Sequence, residues 1–398
     1  MVRSAVILFS FILGIVPSTF LNEPDQLIEK AAELSKKYLI VDSHVDVPYR
    51  LKNQWEDISM ASGGHFDYQR ALKGGLNSAF MSIYIPPRYE ESGGSVQLAD
   101  SLISLVEFFT KKYPDKFIIA LSADEVIKYK DSDIITLPMG MENGTPIEGS
   151  FENLKYFYDR GIRYITLAHG KTNHICDSSY DPNKKWNGLS PFGKSLITEM
   201  NKIGMIIDVS HVSDSAFYQI IELSQTPVIA SHSSCRYFTP GFERNMNDDM
   251  IKKLADNGGV IQINFGSYFI SSDYQKKMEK MGRYLKEHNI GRWSEEGKRY
   301  FEKFVKENNV DFGSAKTVAD HIDHVVKLVG IDYVGLGSDF DGISTLPHGI
   351  KDVSSYPSII YELLKKGYSE KDIGKICSGN ILRVWKEVEQ YSGNNDKY

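Results

Sequence analysis

Eight short apolar runs rich in β-branched residues recur along the 398-residue chain, and segments with helical spacing separate them. They are "LIVDSH" (39–44), "NSAFMSIYI" (77–85), "IITLPMGME" (134–142), "RYITLAH" (163–169), "MIIDVSH" (205–211), "PVIASHS" (227–233), "VIQINFG" (260–266) and "YVGLGSDFDG" (333–342). Strands alternating with helices predict an α/β fold with a parallel sheet, and eight of them predict closure into a (β/α)8 TIM barrel. An open doubly wound sheet would carry a glycine-rich phosphate turn after an early strand, and the sequence has none there. A ninth run, "FIIALS" (117–122), reads as an edge strand. The stretch 272–309, dense in Lys, Glu and aromatics, interrupts the rhythm before the last run. Its charge pattern predicts a solvated helical insertion, with a lid over the barrel mouth as the alternative.

The start of the chain, "MVRSAVILFSFILGIVPSTF", has one basic residue, then an apolar stretch of about 14 residues, then small residues before the polar "LNEPDQ". That pattern predicts a secretory signal over 1–21, cleaved between about 18 and 22, and the strand–helix rhythm that follows predicts one (β/α)8 domain over 22–398. An uncleaved N-terminal anchor is the alternative. No later run is long enough to cross a bilayer, and the closing "EQYSGNNDKY" lacks the apolar tail of a lipid-anchor signal. The expectation is an extracytoplasmic protein, periplasmic or secreted, with no transmembrane anchor once the signal is removed. A net charge of −6 offers no basic face for nucleic acid and fits a small or peptidic substrate better.

Metal-capable side chains fall at the ends of the predicted strands. His44 and Asp46 close the first, and Glu142, His169, His211, His232 and Asp339 close later ones. A parallel barrel opens all its strand C-termini on one face, so these distant segments converge on a single site. Four of the ten histidines occupy strand ends, which makes the pattern a property of the set rather than of any one residue. Three cysteines, Cys176, Cys235 and Cys377, are too few for a thiolate site, so histidine and carboxylate must hold any metal. His44, Asp46, Glu142, His211 and His232 form a mixed set suited to zinc or a similar divalent ion. Two ions sharing one bridging carboxylate, about 3.5–4 Å apart, can hold a hydroxide and polarise a carbonyl. His174, Cys176 and Asp177 share one loop and read as structural, and His321 and His324, one turn apart, read as packing or capping residues. Arg244, in a loop after the "SHSS" strand end, suits either a substrate carboxylate or a surface ion pair.

With these blocks in order, the chain resembles the membrane (renal) dipeptidases, metallopeptidase family M19. The resemblance runs from about residue 38 to about 390. It rests on "VDSHVDVPYRL", "GMENGTPIEGS", "GIRYITLAH", "GMIIDVSHVS", "TPVIASHSS", "ERNMNDD" and "VGLGSDFDGI". It implies a (β/α)8 barrel of the metal-dependent hydrolase type with two Zn2+ per chain. His44 and Asp46 would hold one zinc, His211 and His232 the other, and Glu142 would bridge them. It further implies that His169 contacts the substrate near the scissile carbonyl, that Arg244 binds the dipeptide's C-terminal carboxylate, and that Asp339 carries the proton. The implied activity is zinc-dependent hydrolysis of dipeptides, those with a C-terminal D-residue included, through a metal-bridging hydroxide. Homodimerisation is an expectation at the level of the family.

The chain departs from what is expected of the mammalian members: it has no matching lipid-anchor tail, and its 272–309 insertion is longer. Its cysteines do not fall at the bridging positions of the mammalian members, and Gly266 stands where the renal enzymes have a tyrosine. The alternative activity is an amidohydrolase of other specificity, acting on β-lactams or N-acyl amino acids, and a non-catalytic peptide-binding barrel is a third reading. All the expected ligands and the proton-transfer acid are present, which an inactive relative would not be expected to retain.

Overall fold

A computed structural model describes residues 23–395 of the chain. The expected signal at 1–21 lies outside the described residues. Ten parallel strands form one sheet: β1 Ile40–Val45, β2 Leu76–Tyr84, β3 Phe117–Ile118, β4 Ile135–Thr136, β5 Met139–Glu142, β6 Ile162–Thr166, β7 Ile206–Asp208, β8 Ile229–Ser233, β9 Val260–Ile263 and β10 Val334–Leu336. Strands β5 to β10 pair in sequence order, β5 pairs with β2, and β2 pairs with β1. The ring of eight closes between β1 and β10 without a strand ladder. A single bridge, Val45 to Phe340, spans that seam, with backbone bonds from Asp46 N to Phe340 O (2.8 Å) and from Asp339 N to His44 O (3.1 Å).

The eight predicted runs supply the eight barrel strands, with one difference of detail. "IITLPMGME" is two strands rather than one, because Pro138 has no N–H to continue the ladder. Met81 N donates to Pro138 O instead (2.8 Å), and the chain is handed from β4 to β5 along the same edge of β2. Strand β4 also carries β3, so "FIIALS" supplies the expected edge strand.

Hydroxyl and amide caps start the intervening helices. Ser150, Ser190, Ser213 and Asn247 each accept a backbone N–H from three residues on, opening Phe151–Asp159, Pro191–Ile203, Asp214–Leu223 and Asp248–Asp256. Gly204 ends the second of these in the left-handed region at φ 79°, where a side chain would be strained. The insertion forms two helices, Ser272–Glu287 and Glu295–Glu307, around an apolar cluster of its own that includes Tyr274, Met278, Met281, Leu285 and Phe304.

Apolar side chains fill the barrel's lower interior. Val41, Phe80, Tyr164, Ile206, Ile229 and Val260 pack against Ile381, Val384, Trp385 and Val388 of the terminal helix Asn380–Asn395. The indole of Trp385 is fully buried, 5.1 Å from the Phe80 ring. Gly140 on β5 leaves room for the Tyr164 ring, which any Cβ there would strike. Above this plug the interior turns polar, at Ser43, Ser231 and Gln262, and leads to the rim where the strands end. Trp385→Ala is therefore expected to destabilise the fold by about 3–5 kcal/mol, because the closed ring cannot collapse onto the space. Urea unfolding checks this, and a loss under about 1 kcal/mol would show that the plug is not needed.

Candidate metal centre

Only three of the rim residues belong to strands. His44 lies in β1, Glu142 ends β5, and His232 lies in β8. The other four come after the strands have ended, since β6 stops at Thr166, β7 at Asp208 and β10 at Leu336. The sequence reading had these residues closing their strands, and local backbone explains the difference. His211 (φ 69°) and Asp339 (φ 62°) occupy the left-handed region, which cannot continue a strand. Asn143, next to Glu142, does so as well (φ 78°). Such conformations are strained for residues with a Cβ and persist only where the surroundings hold them. Asp46 precedes the helix Val47–Asn53, whose early Pro48 fixes the turn out of β1. Gly342 is needed for close approach, because a Cβ there would collide with the carboxylates of Asp46 and Asp339.

The Glu142 carboxylate is the centre of the cluster. Its Oε1 lies 3.2 Å from His211 Nε2, 3.4 Å from His232 Nε2 and 3.5 Å from His169 Nε2. Its Oε2 lies 3.5 Å from His44 Nε2, which is 3.4 Å from Asp46 Oδ2. His211 and His232 bring their Nε2 atoms to 2.9 Å of each other. Three overlapping sets, His44–Glu142–His232, Glu142–His169–His211 and His44–Asp46–Asp339, each keep their donor atoms within 4.8 Å. All seven strand-end residues thus meet at one rim. His169 stands as near to Glu142 as the other imidazoles do, as its place among the converging residues led one to expect.

Outer contacts aim the imidazoles. Tyr164 OH pairs with His44 Nδ1 (2.8 Å), and Ser231 Oγ pairs with His232 Nδ1 (2.7 Å) while donating to Asp208 Oδ2 (2.6 Å). Both rings are left with Nε2 toward Glu142, the arrangement of metal-ligating histidines held by an outer shell. His44 Nε2 is buried without a hydrogen-bond partner, as are His211 Nδ1 and His169 Nδ1. Buried polar atoms are rarely left unpaired, so the orphaned His44 Nε2 beside the Asp46 and Glu142 oxygens fits a borderline divalent cation.

The electrostatics agree with that fit. Burial disfavours ionised Glu142, but the charges of His44 and His169 and hydrogen bonds from His211 and His232 hold its pKa well below the carboxylate range. Burial also opposes a charged His44, yet Tyr164, Glu142 and Asp46 outweigh it and raise its pKa well above the ordinary value. Burial, then the positive charges of Arg244 and other histidines, keeps His211 and His232 neutral with pKa values well below normal. A neutral imidazole is the form that ligates metal. Asp339 is pushed well above the usual range by burial and then by the Asp46 charge.

A cleft of about 570 Å³ opens over the cluster, with Tyr49, Tyr84, Tyr180 and Phe269 beside the polar residues. Arg244 is buried; its terminal nitrogens donate to Ser233 Oγ (2.7 Å) and His232 O (2.8 Å), and its Nε has no partner. Its guanidinium lies 5.3 Å from the centre of the Phe269 ring, so the surface ion pair considered for it does not form. The other histidines and cysteines take structural contacts. His174 pairs with Glu90, Asp177 accepts backbone N–H groups of Lys185, Trp186 and Gly188, and His321 receives Cys235 N. The three cysteines are free and buried.

Several site residues escaped the sequence reading. Asn264 donates to Asp339 Oδ2 (2.8 Å), and its place just after β9 was a usable signal. Tyr164 lies in mid-strand among apolar residues, where nothing distinguished it from core. Ser231 and Asp208 become recognisable only once β7 and β8 are seen side by side.

Comparison with known proteins accords with this centre. The profile of Membrane dipeptidase (Peptidase family M19) matches residues 28–398. The chain is 30% identical to Dipeptidase 3 of Mus musculus over 92% of its own length and 67% of the mouse protein. It is 30% identical to Dipeptidase verJ of Clonostachys rogersoniana over 92% and 89%. Among solved structures, the probable dipeptidase PvdM from Pseudomonas aeruginosa superposes with a TM-score of 0.81 at 26% identity, covering 92% of this chain and all of that one. The chain belongs to the membrane dipeptidase family, peptidase family M19, and is an enzyme of its metallodipeptidase class.

Proposed function

We propose that the protein is a secreted zinc dipeptidase that hydrolyses the single peptide bond of dipeptides, including those ending in a D-residue. The observation that carries this is the Glu142 carboxylate, with three imidazole nitrogens 3.2–3.5 Å from Oε1 and the orphaned His44 Nε2 3.5 Å from Oε2. His44 and Asp46 would hold one zinc ion, His211 and His232 a second, and Glu142 would be shared. Zinc, when bound, supplies a water deprotonated near neutral pH and a Lewis acid for the carbonyl.

The chain's own residues do the rest. Asn264 fixes one oxygen of Asp339 and leaves the other to carry a proton toward the departing amine. His169, half-buried at the cleft wall with Tyr84 edge-on at 4.8 Å, faces the position of the scissile carbonyl and stabilises its developing charge. Arg244 Nε is the one nitrogen of the buried guanidinium with no partner and is suited to the free C-terminal carboxylate. Secretion rests on the apolar leader with its flanking basic and small residues. Among the described residues no helix is long and apolar enough to cross a membrane. Pairing of chains remains part of the reading as a property of the family.

Hydrolysis of a panel of L-L and L-D dipeptides beside a tripeptide control tests the activity directly; cleavage of the tripeptide alone would overturn it. Purified protein is expected to contain about two zinc ions per chain and to lose activity reversibly with a chelator. Metal-free protein from a preparation never exposed to chelator would count against the metal assignment. Asp339→Asn should lower kcat by about 10²–10⁴-fold with zinc content unchanged, whereas equal loss of both would make Asp339 a ligand. Tyr164→Phe should weaken zinc binding by about 10–100-fold while the folded spectrum is kept, as competition with a chromogenic chelator would report.

A further inference from the structure

A second cavity, of about 260 Å³, adjoins the catalytic cleft. The two share Tyr180, Phe269, Gly342 and Ile343 as a common wall. The far wall comes from the short helix Ser267–Ile270, from Thr345, and from Arg292 in the turn between the two insertion helices. The insertion is thus more than a solvated appendage, because its turn completes a space beside the cleft.

Two features give this space a chemical preference. Arg292 has no carboxylate within 4 Å among the described residues and rests near the Trp293 ring at 5.4 Å. Ser267 is fully buried, and its Oγ has no hydrogen-bond partner. A cation without a counter-charge and an unsatisfied buried hydroxyl on the same wall call for a ligand group that is anionic and accepts hydrogen bonds.

The other cations beside the cleft are already engaged. Arg50 pairs with Glu56 and Asp341, and Arg244 donates to Ser233 and His232. With Arg50 committed to carboxylates and Arg244 assigned to the C-terminal carboxylate, an acidic side chain is received on the Arg292 side. That side is also the Arg244 side, since the Arg244 guanidinium covers Phe269, which lines both spaces.

We propose that Arg292 and Ser267 form a side-chain subsite that selects dipeptides whose C-terminal residue is acidic. The proposal rests on the dipeptidase reading and on Arg244 meeting the C-terminal carboxylate. No new bond chemistry is involved; the subsite acts through binding, and its effect falls mainly on KM.

The test compares kcat/KM for alanyl-glutamate and alanyl-glutamine, with alanyl-alanine as reference, in the full chain loaded with zinc. The acid is expected to be preferred over the amide by about fivefold, the scale of an ion pair open to solvent. Arg292→Ala should erase the preference, and Arg292→Glu should reverse it and favour alanyl-lysine. Arg283→Ala, which removes an exposed charge elsewhere on the insertion, should leave it intact. Equal rates for acid and amide with alanyl-alanine still cleaved would overturn the subsite alone. A preference unchanged in both Arg292 variants would do the same. Failure to cleave any of the dipeptides would overturn the dipeptidase reading and the subsite with it.

Discussion

A carboxylate buried among four imidazoles is the constraint around which the upper half of this barrel is arranged. An isolated ionised Glu142 could not be kept from water; partners at 3.2–3.5 Å make it tolerable. Those partners come from four different strand ends, so their relative positions depend on the whole ring rather than on any local motif. Further bonds then fix two of the rings, His44 through Tyr164 and His232 through Ser231, and brace the backbone beneath them. Asp42 accepts the backbone N–H of His44 and of Ser338, each at 3.0 Å, and receives the Tyr356 hydroxyl. One buried acid thereby braces both sides of the barrel seam, directly beneath His44 and Asp339.

The two ends of the barrel carry different duties. The lower end is filled by Trp385 and its apolar neighbours, where packing decides stability. The upper end concentrates charge, strained backbone at His211 and Asp339, and unpaired polar atoms. Such features oppose stability taken singly, and a site that must receive a cation and a polar substrate retains them. The deep plug is what allows the rim to be assembled in this way.

Much of the fold and of the centre was legible in the sequence, for a definite reason. Apolar runs reveal strands, and polar residues at their ends reveal what those strands present, so His44, Glu142 and His232 could be placed without coordinates. Where the strands stop was less visible, because a left-handed residue such as His211 leaves no compositional mark. The break at Pro138 could have been read from the missing N–H, yet the apolar run around it masked the change of partner. Tyr164 and Ser231 act through contacts between strands distant in sequence, and those exist only in three dimensions. Arg292 lay in a charge-rich stretch where any single arginine looks like surface, and only the adjoining cavity separates it from the rest.

The seam between β1 and β10 has an implication for the order of assembly. It joins the first strand of the ring to the last through Asp46 N to Phe340 O and Asp339 N to His44 O, a closure spanning most of the chain. Contacts of such long range form late, after shorter loops have shut. A nascent chain can gather His44, Glu142 and His232 from earlier strands, but it must make the final barrel strand before the ring shuts at this seam and Asp339 reaches the rim.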